Sequence, residues 1–202
     1  MLRRDLNNLH WLKFKVKKDM KRKSIAAIAG TVLVGSAIAS YFYLRTRKPK
    51  YAELRTANVD LEKYLGKWYD IAHLPASFME GCYNTQAVYT LQEDGTIKVV
   101  NTCNKGSIHG PEDRAEGQAT VADTNLYSKL EVEFIWPFKG DYWIIEVDQN
   151  YRYALVGEPS RKYLWILSRE PRLEEKALSK LISRANEEGF ATNNLIMTVH
   201  HV

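Results

Sequence analysis

The sequence has no Gly-rich phosphate loop, no Gly-x-Ser-x-Gly elbow and no Cys-x-x-Cys or His-Glu-x-x-His spacing, so the nucleotide, serine-hydrolase and zinc chemistries built on those motifs are excluded. His200-His201 at the terminus is too little to bind a metal, and His73 and His109 read as polar loop residues rather than bases. Neither a metal nor a cofactor is expected, and no catalytic residue is assigned. Repeats and low-complexity stretches are missing too. The folded part also lacks an excess of positive charge. Residues 1–50 hold 13 Lys and Arg against 2 acids, whereas residues 51–202 hold 16 against 22, so the net +5 of the chain belongs to its tail. A nucleic-acid groove needs its cations on the folded domain, and this domain is acidic; no nucleic-acid partner is expected.

What is present begins with an apolar run. Ser24 to Leu44 contains no charge for 21 positions, about what a helix needs to cross a ~30 Å hydrocarbon layer. Seven basic residues from Lys13 to Lys23 precede it and four follow it, which keeps the N-terminus cytoplasmic and exports the rest. Two readings stand: an uncleaved transmembrane anchor, or a signal segment cut after Ala37-Ile38-Ala39, especially if translation starts at Met20. The anchor is preferred because apolar and aromatic residues continue through Tyr41, Phe42 and Leu44. The organisation is then a basic region 1–23, the anchor 24–44, a charged linker 45–57 and a folded domain 58–202. The folded domain is then expected on the exported side of a membrane.

From Val59 onward, a short helical start at Asp60 to Tyr64 gives way to runs of β-branched and aromatic residues separated by turns. Strands are expected at 67–74, 83–91, 96–103, 114–121, 128–136, 141–147, 152–157 and 163–169. Glu93-Asp94-Gly95 is a tight hairpin signal, because glycine accepts the positive φ such a turn demands. Leu130 to Phe134 alternates apolar and charged, which puts Glu131 and Glu133 on a wet face. After Pro171, the stripe Leu173, Ala177, Leu178, Leu181, Ile182 and Ala185 predicts an amphipathic helix ending at Gly189. Leu195 to Val199 can add as a last strand.

The fold class is all-β. Eight antiparallel strands in a meander avoid bare edges by closing into an up-and-down barrel wide enough for one small ligand, although a sandwich fits the pattern as well. Three motifs decide between them. Gly66-Lys67-Trp68-Tyr69 resembles the Gly-x-Trp motif that opens the first strand of lipocalins. Gly140-Asp141-Tyr142-Trp143 with Asp148 to Tyr151 resembles that family's second conserved region, and Leu164 to Arg169 resembles its third. The resemblance covers residues 58–202 and is nearest to bacterial outer-membrane lipocalins of the Blc type and their plant and apolipoprotein D relatives. It implies a barrel with a helix packed outside and, as partners, a small hydrophobic ligand and a membrane. The implied function is binding, storage or transport of a fatty acid, phospholipid or lysophospholipid rather than catalysis.

In a meander, the start of strand one and the end of strand eight share one end of the barrel. Trp68 and Arg169 therefore meet and, with Gly66, close that end by a cation–π contact. Strand parity assigns Ala72, Ala87, Tyr89, Leu130, Val132, Phe134, Trp136, Tyr142, Tyr153, Tyr163 and Trp165 to the lining. Phe78 and Met79 lie on a loop at the open end, where with Trp136 and Phe138 they form either a lid or a membrane-dipping surface. Cys82 and Cys103 fall near the mouth on adjacent strands and are expected to form a disulfide, although hairpin counting offsets them by about one pair, so a bulge is required. The alternative function is a lipocalin-fold enzyme acting on a lipid or tetrapyrrole through a free cysteine.

Overall fold

Residues 51–201 are described by the structure, a computed structural model. The expected apolar helix at 24–44 lies outside the described residues, and among these no helix is long and apolar enough to cross a membrane.

Asp60 accepts a hydrogen bond from the Lys63 amide and so caps a single helical turn, α1 (Leu61–Tyr64), which delivers the chain into the first strand. Eight strands follow: β1 (Gly66–His73), β2 (Cys82–Leu91), β3 (Ile97–Lys105), β4 (Glu112–Val121), β5 (Lys129–Ile135), β6 (Phe138–Val147), β7 (Tyr153–Gly157) and β8 (Leu164–Ser168). Each pairs antiparallel with its neighbour, and pairing of β1 with both β8 and β2 closes the barrel. The β2–β3 turn uses Gly95 at φ 81°, where an L side chain would strain the backbone.

A helix, α2 (Glu175–Glu187), packs outside the barrel. Its Leu181 and Ala185 are buried with Leu155, Leu164, Ile166 and Phe190. Glu146 on the wall pairs with Lys180 and Arg184 of the helix. Residues 52–55, in the described part of the stretch read as linker, are tied down as well. Leu54 is buried in this outer layer, and Glu188 at the helix end bonds Arg55 and Arg184, each at 2.7 Å. Arg161, itself buried, locks the same corner by donating to the carbonyls of Ala52, Pro159 and Glu188.

The last strand, β9 (Ile196–Met197), does not simply extend an edge. β1 and β2 pair only through Gly66–Tyr69 and Gln86–Tyr89; beyond that point they part, and β9 pairs with Ala72 and His73. Thr198 donates its amide to Ile71 and Val199 accepts from the Asn84 amide, so the C-terminal segment bridges the gap.

Two register effects decide which side chains face inward. A bulge between Asp70 and Ala72 shifts the alternation of β1. Ala72, expected in the lining, therefore turns outward into the layer under α2, while His73, expected in a loop, is buried in β1 opposite Trp165. Tyr153 is the second correction: it pairs with Ser168 on the outer face and packs with the helix-side cluster.

Cys82 and Cys103 are joined with a Cα–Cα distance of 5.4 Å. The required bulge is there: register shifts between Tyr83 and Gln86, and Asn84 takes a φ of 52°. By loop-closure entropy, the cross-link over 21 residues contributes about 3 kcal/mol. The double variant C82A/C103A should lower the calorimetric Tm by several degrees.

Candidate functional site

The barrel is a cup whose two ends differ in chemistry. At the closed end, Trp68 is fully buried and donates its indole N–H to the Tyr64 carbonyl at 2.7 Å, which fixes the ring. The Arg169 guanidinium lies 3.8 Å from the centre of that ring. Its N–H groups donate to five backbone carbonyls, those of Lys63, Tyr64, Leu65, Lys67 and Tyr151. Trp68 and Arg169 are thus brought together across the barrel seam, and Gly66, at φ 90°, lets the chain pass beside Arg169.

Above this plug the interior is apolar. Ile97, Val99, Ala119, Leu130, Ile144, Ala154, Val156 and Leu167 form a sealed layer, while Ala87, Val132, Tyr142 and Trp165 pack on it with part of their surface open. Exposure at inward positions opens into the cup, because the register leaves these side chains no other direction. Tyr163, Trp165 and Tyr142 form an aromatic ladder up one wall, with ring centroids 5.9 and 6.4 Å apart. On the opposite wall, a Cβ at Gly117 would lie 2.7 Å from the Phe134 ring, so the glycine makes room for it.

Three phenols meet at the floor. Tyr142 Oη lies 2.7 Å from Tyr64 Oη and 2.9 Å from Tyr89 Oη. Burial keeps all three protonated: Tyr64 and Tyr142 are pushed well above the ordinary tyrosine range, and Tyr89 up to about 12. The sequence marked Tyr89 and Tyr142 but missed Tyr64; its signal was position, four residues before Trp68 in a capped turn that opens the barrel.

The rim divides. Met79, on a short 3-10 helix (Ser77–Met79), is buried, and its sulfur accepts the Trp165 indole N–H at 3.3 Å, while Phe78 rests on Tyr163 with centroids 5.6 Å apart. That segment closes on the wall as a lid through Met79, while Phe78 stays 59% exposed. The β5–β6 hairpin does not, for Ile135 and Trp136 are 71% and 79% exposed. Trp136, expected in the lining as well as on the rim, lies beyond β5 and does not line the wall. Beside the lid, a cavity of about 490 Å3 lies between the parted β1 and β2, bounded by Pro75, Met79, Cys82, Met197 and His73. His73 bonds through Nδ1 to Asp70 Oδ2 at 2.6 Å, and Thr198 donates to the same oxygen at 2.7 Å.

A closed antiparallel barrel with an outer helix, a Trp–Arg plug and an apolar cup defines this chain as a member of the lipocalin family. Residues 59–200 match the family's lipocalin-like domain. Temperature-induced lipocalin-1 of Arabidopsis thaliana is 40% identical over 162 residues, covering 76% of this chain and 84% of that protein. The outer membrane lipoprotein Blc of Escherichia coli K12 is 34% identical over 166 residues, covering 81% and 93%. Bovine apolipoprotein D is 34% identical over 166 residues, covering 78% and 82%. Among solved structures, insecticyanin from the tobacco hornworm Manduca sexta superposes with a TM-score of 0.61 at 20% identity, covering 76% of this chain and 88% of its own. This likeness reports the fold.

Proposed function

We propose that this chain is a non-enzymatic carrier or store for an acyl lipid, namely a fatty acid, phospholipid or lysophospholipid, on the exported side of a membrane. The observation that carries this reading is the cup itself: sealed below by Trp68 and Arg169, apolar through its middle, and partly open beneath a lid that closes on Trp165. Burying a few hundred Å2 of acyl chain at about 25 cal/mol per Å2 yields several kcal/mol before entropic losses, which makes apolar burial the main source of affinity. The exposed Ile135 and Trp136 supply an apolar tip that can enter a lipid surface when the cup loads. The names of the Blc relatives place those proteins in an outer membrane. An envelope location for this chain agrees with that and with the apolar run at 24–44, which would hold it there.

The enzyme alternative required a thiol in the cup. Both cysteines of the chain are paired in the disulfide, which favours the carrier reading over that alternative. Native mass spectrometry of the purified full-length chain, followed by lipid extraction, should show a co-purifying or exchangeable acyl lipid at one per chain. A protein that neither retains lipid nor takes it up overturns the carrier reading.

A further inference from the structure

The floor of the cup is polar in a way that an apolar container does not require. Three hydroxyl protons belong to Tyr64, Tyr89 and Tyr142, and only two hydrogen bonds join them. Tyr89 donates to Tyr142. Between Tyr64 and Tyr142 one proton serves the single remaining contact, so one phenolic O–H is left without an acceptor whichever way that bond runs. Tyr64 and Tyr89 are buried, whereas Tyr142 faces inward opposite Leu130 and keeps part of its surface open to the cup. The spare donor is therefore available to whatever fills the cup when Tyr64 donates and Tyr142 passes its own proton upward.

The charge beneath the floor points the same way. Arg169 stands behind Trp68 and Tyr64 with backbone carbonyls as its acceptors, and no carboxylate among the described residues pairs with it. A half-buried guanidinium balanced only by carbonyl dipoles contributes a solvent-screened positive field beneath the floor. Asp70 is the acid that also faces inward from β1, beyond Trp68. Its Oδ2 is held toward the rim by His73 and Thr198, and its Oδ1 has no partner. The negative end of the interior thus lies above the floor and the positive end below it.

We infer that the phenol cluster is a binding site for the carboxylate of a fatty acid, which enters head first and takes its hydrogen bond from Tyr142 with its tail along Val132, Trp165 and Phe134. The inference rests on the carrier reading and adds to it the ligand's polar group and direction. It puts the acid group at the far end of the cup from the lid, so the lid meets only hydrocarbon.

Tyr142→Phe removes one oxygen and keeps the ring on Trp165. In the full-length chain, palmitate affinity should fall about tenfold, as expected for a hydrogen bond to a charged group. N-phenyl-1-naphthylamine, an apolar probe without oxygen, should keep its affinity within about twofold. The carboxyl resonance of carboxyl-labelled palmitate should shift on the same substitution. Unchanged palmitate affinity, or equal losses for both probes, overturns the head-down site while leaving the carrier reading intact. If neither probe binds the unsubstituted protein, the carrier reading fails and the site falls with it.

Discussion

Replacing Trp68 by Ala should lower the unfolding free energy by about 3 to 5 kcal/mol, the range for truncating a fully buried large aromatic. For a domain of this size that corresponds to a fall in Tm of roughly 10 °C or more. The cost has separate sources. The indole is wholly buried in the inner core, it holds the Tyr64 carbonyl through its N–H, and it is the surface on which Arg169 rests. Arg169→Leu should be nearly as damaging, because it strands up to five carbonyls that the guanidinium now satisfies in a half-buried corner. The double variant separates the contact from its surroundings. If the pair acts as a unit, the two losses should fall short of additive by about 0.5 to 2 kcal/mol in urea titrations. Strict additivity would mean that the plug is two neighbours rather than one device.

Trp68 and Arg169 were also the most legible part of the sequence. A motif fixed the start of β1, and meander topology alone brings the start of β1 beside the end of β8. The disulfide was nearly as legible; the bulge at Asn84 narrows the offset, and Cys82, opposite Lys105, reaches Cys103 diagonally. Legibility failed where alternation carries no information. Ala154, Leu155 and Val156 are all buried, since one face of β7 looks into the cup and the other lies under α2, so no hydrophobic pattern said which way Tyr153 points. Ala72 failed for a different reason: the bulge beside it is a backbone feature, and Ile71, Ala72, His73 and Leu74 are all buried whichever way they turn. The Asp70–His73 pair and the burial of Leu54 are long-range consequences of those registers and of the C-terminal bridge. No local signal announced them.

Alkaline pH should unfold the protein through its floor. A buried phenol whose folded pKa is raised favours the protonated state, so its contribution to stability is complete below the unfolded value near 10 and is lost as pH rises toward the folded value. Tyr64, Tyr89 and Tyr142 share this sign: burial raises each of them, with Tyr89 reaching about 12. Between those limits the unfolded chain releases protons that the folded chain retains. Each phenol then costs about 1.4 kcal/mol per pH unit, or about 4 for the three together. A domain in the lower half of the usual range of about 5 to 15 kcal/mol has lost its margin by about pH 12. The expected result is a cooperative loss of near-ultraviolet circular dichroism between about pH 11 and 12. The last tyrosinate absorbance should appear with that transition rather than before it. Tyr142→Phe removes the central phenol and should move the midpoint upward, provided that the substitution leaves neutral-pH stability near its starting value. A floor that titrates freely while the barrel stays folded would show that the phenols open to water, and that the cup is wetter at its base than its packing allows.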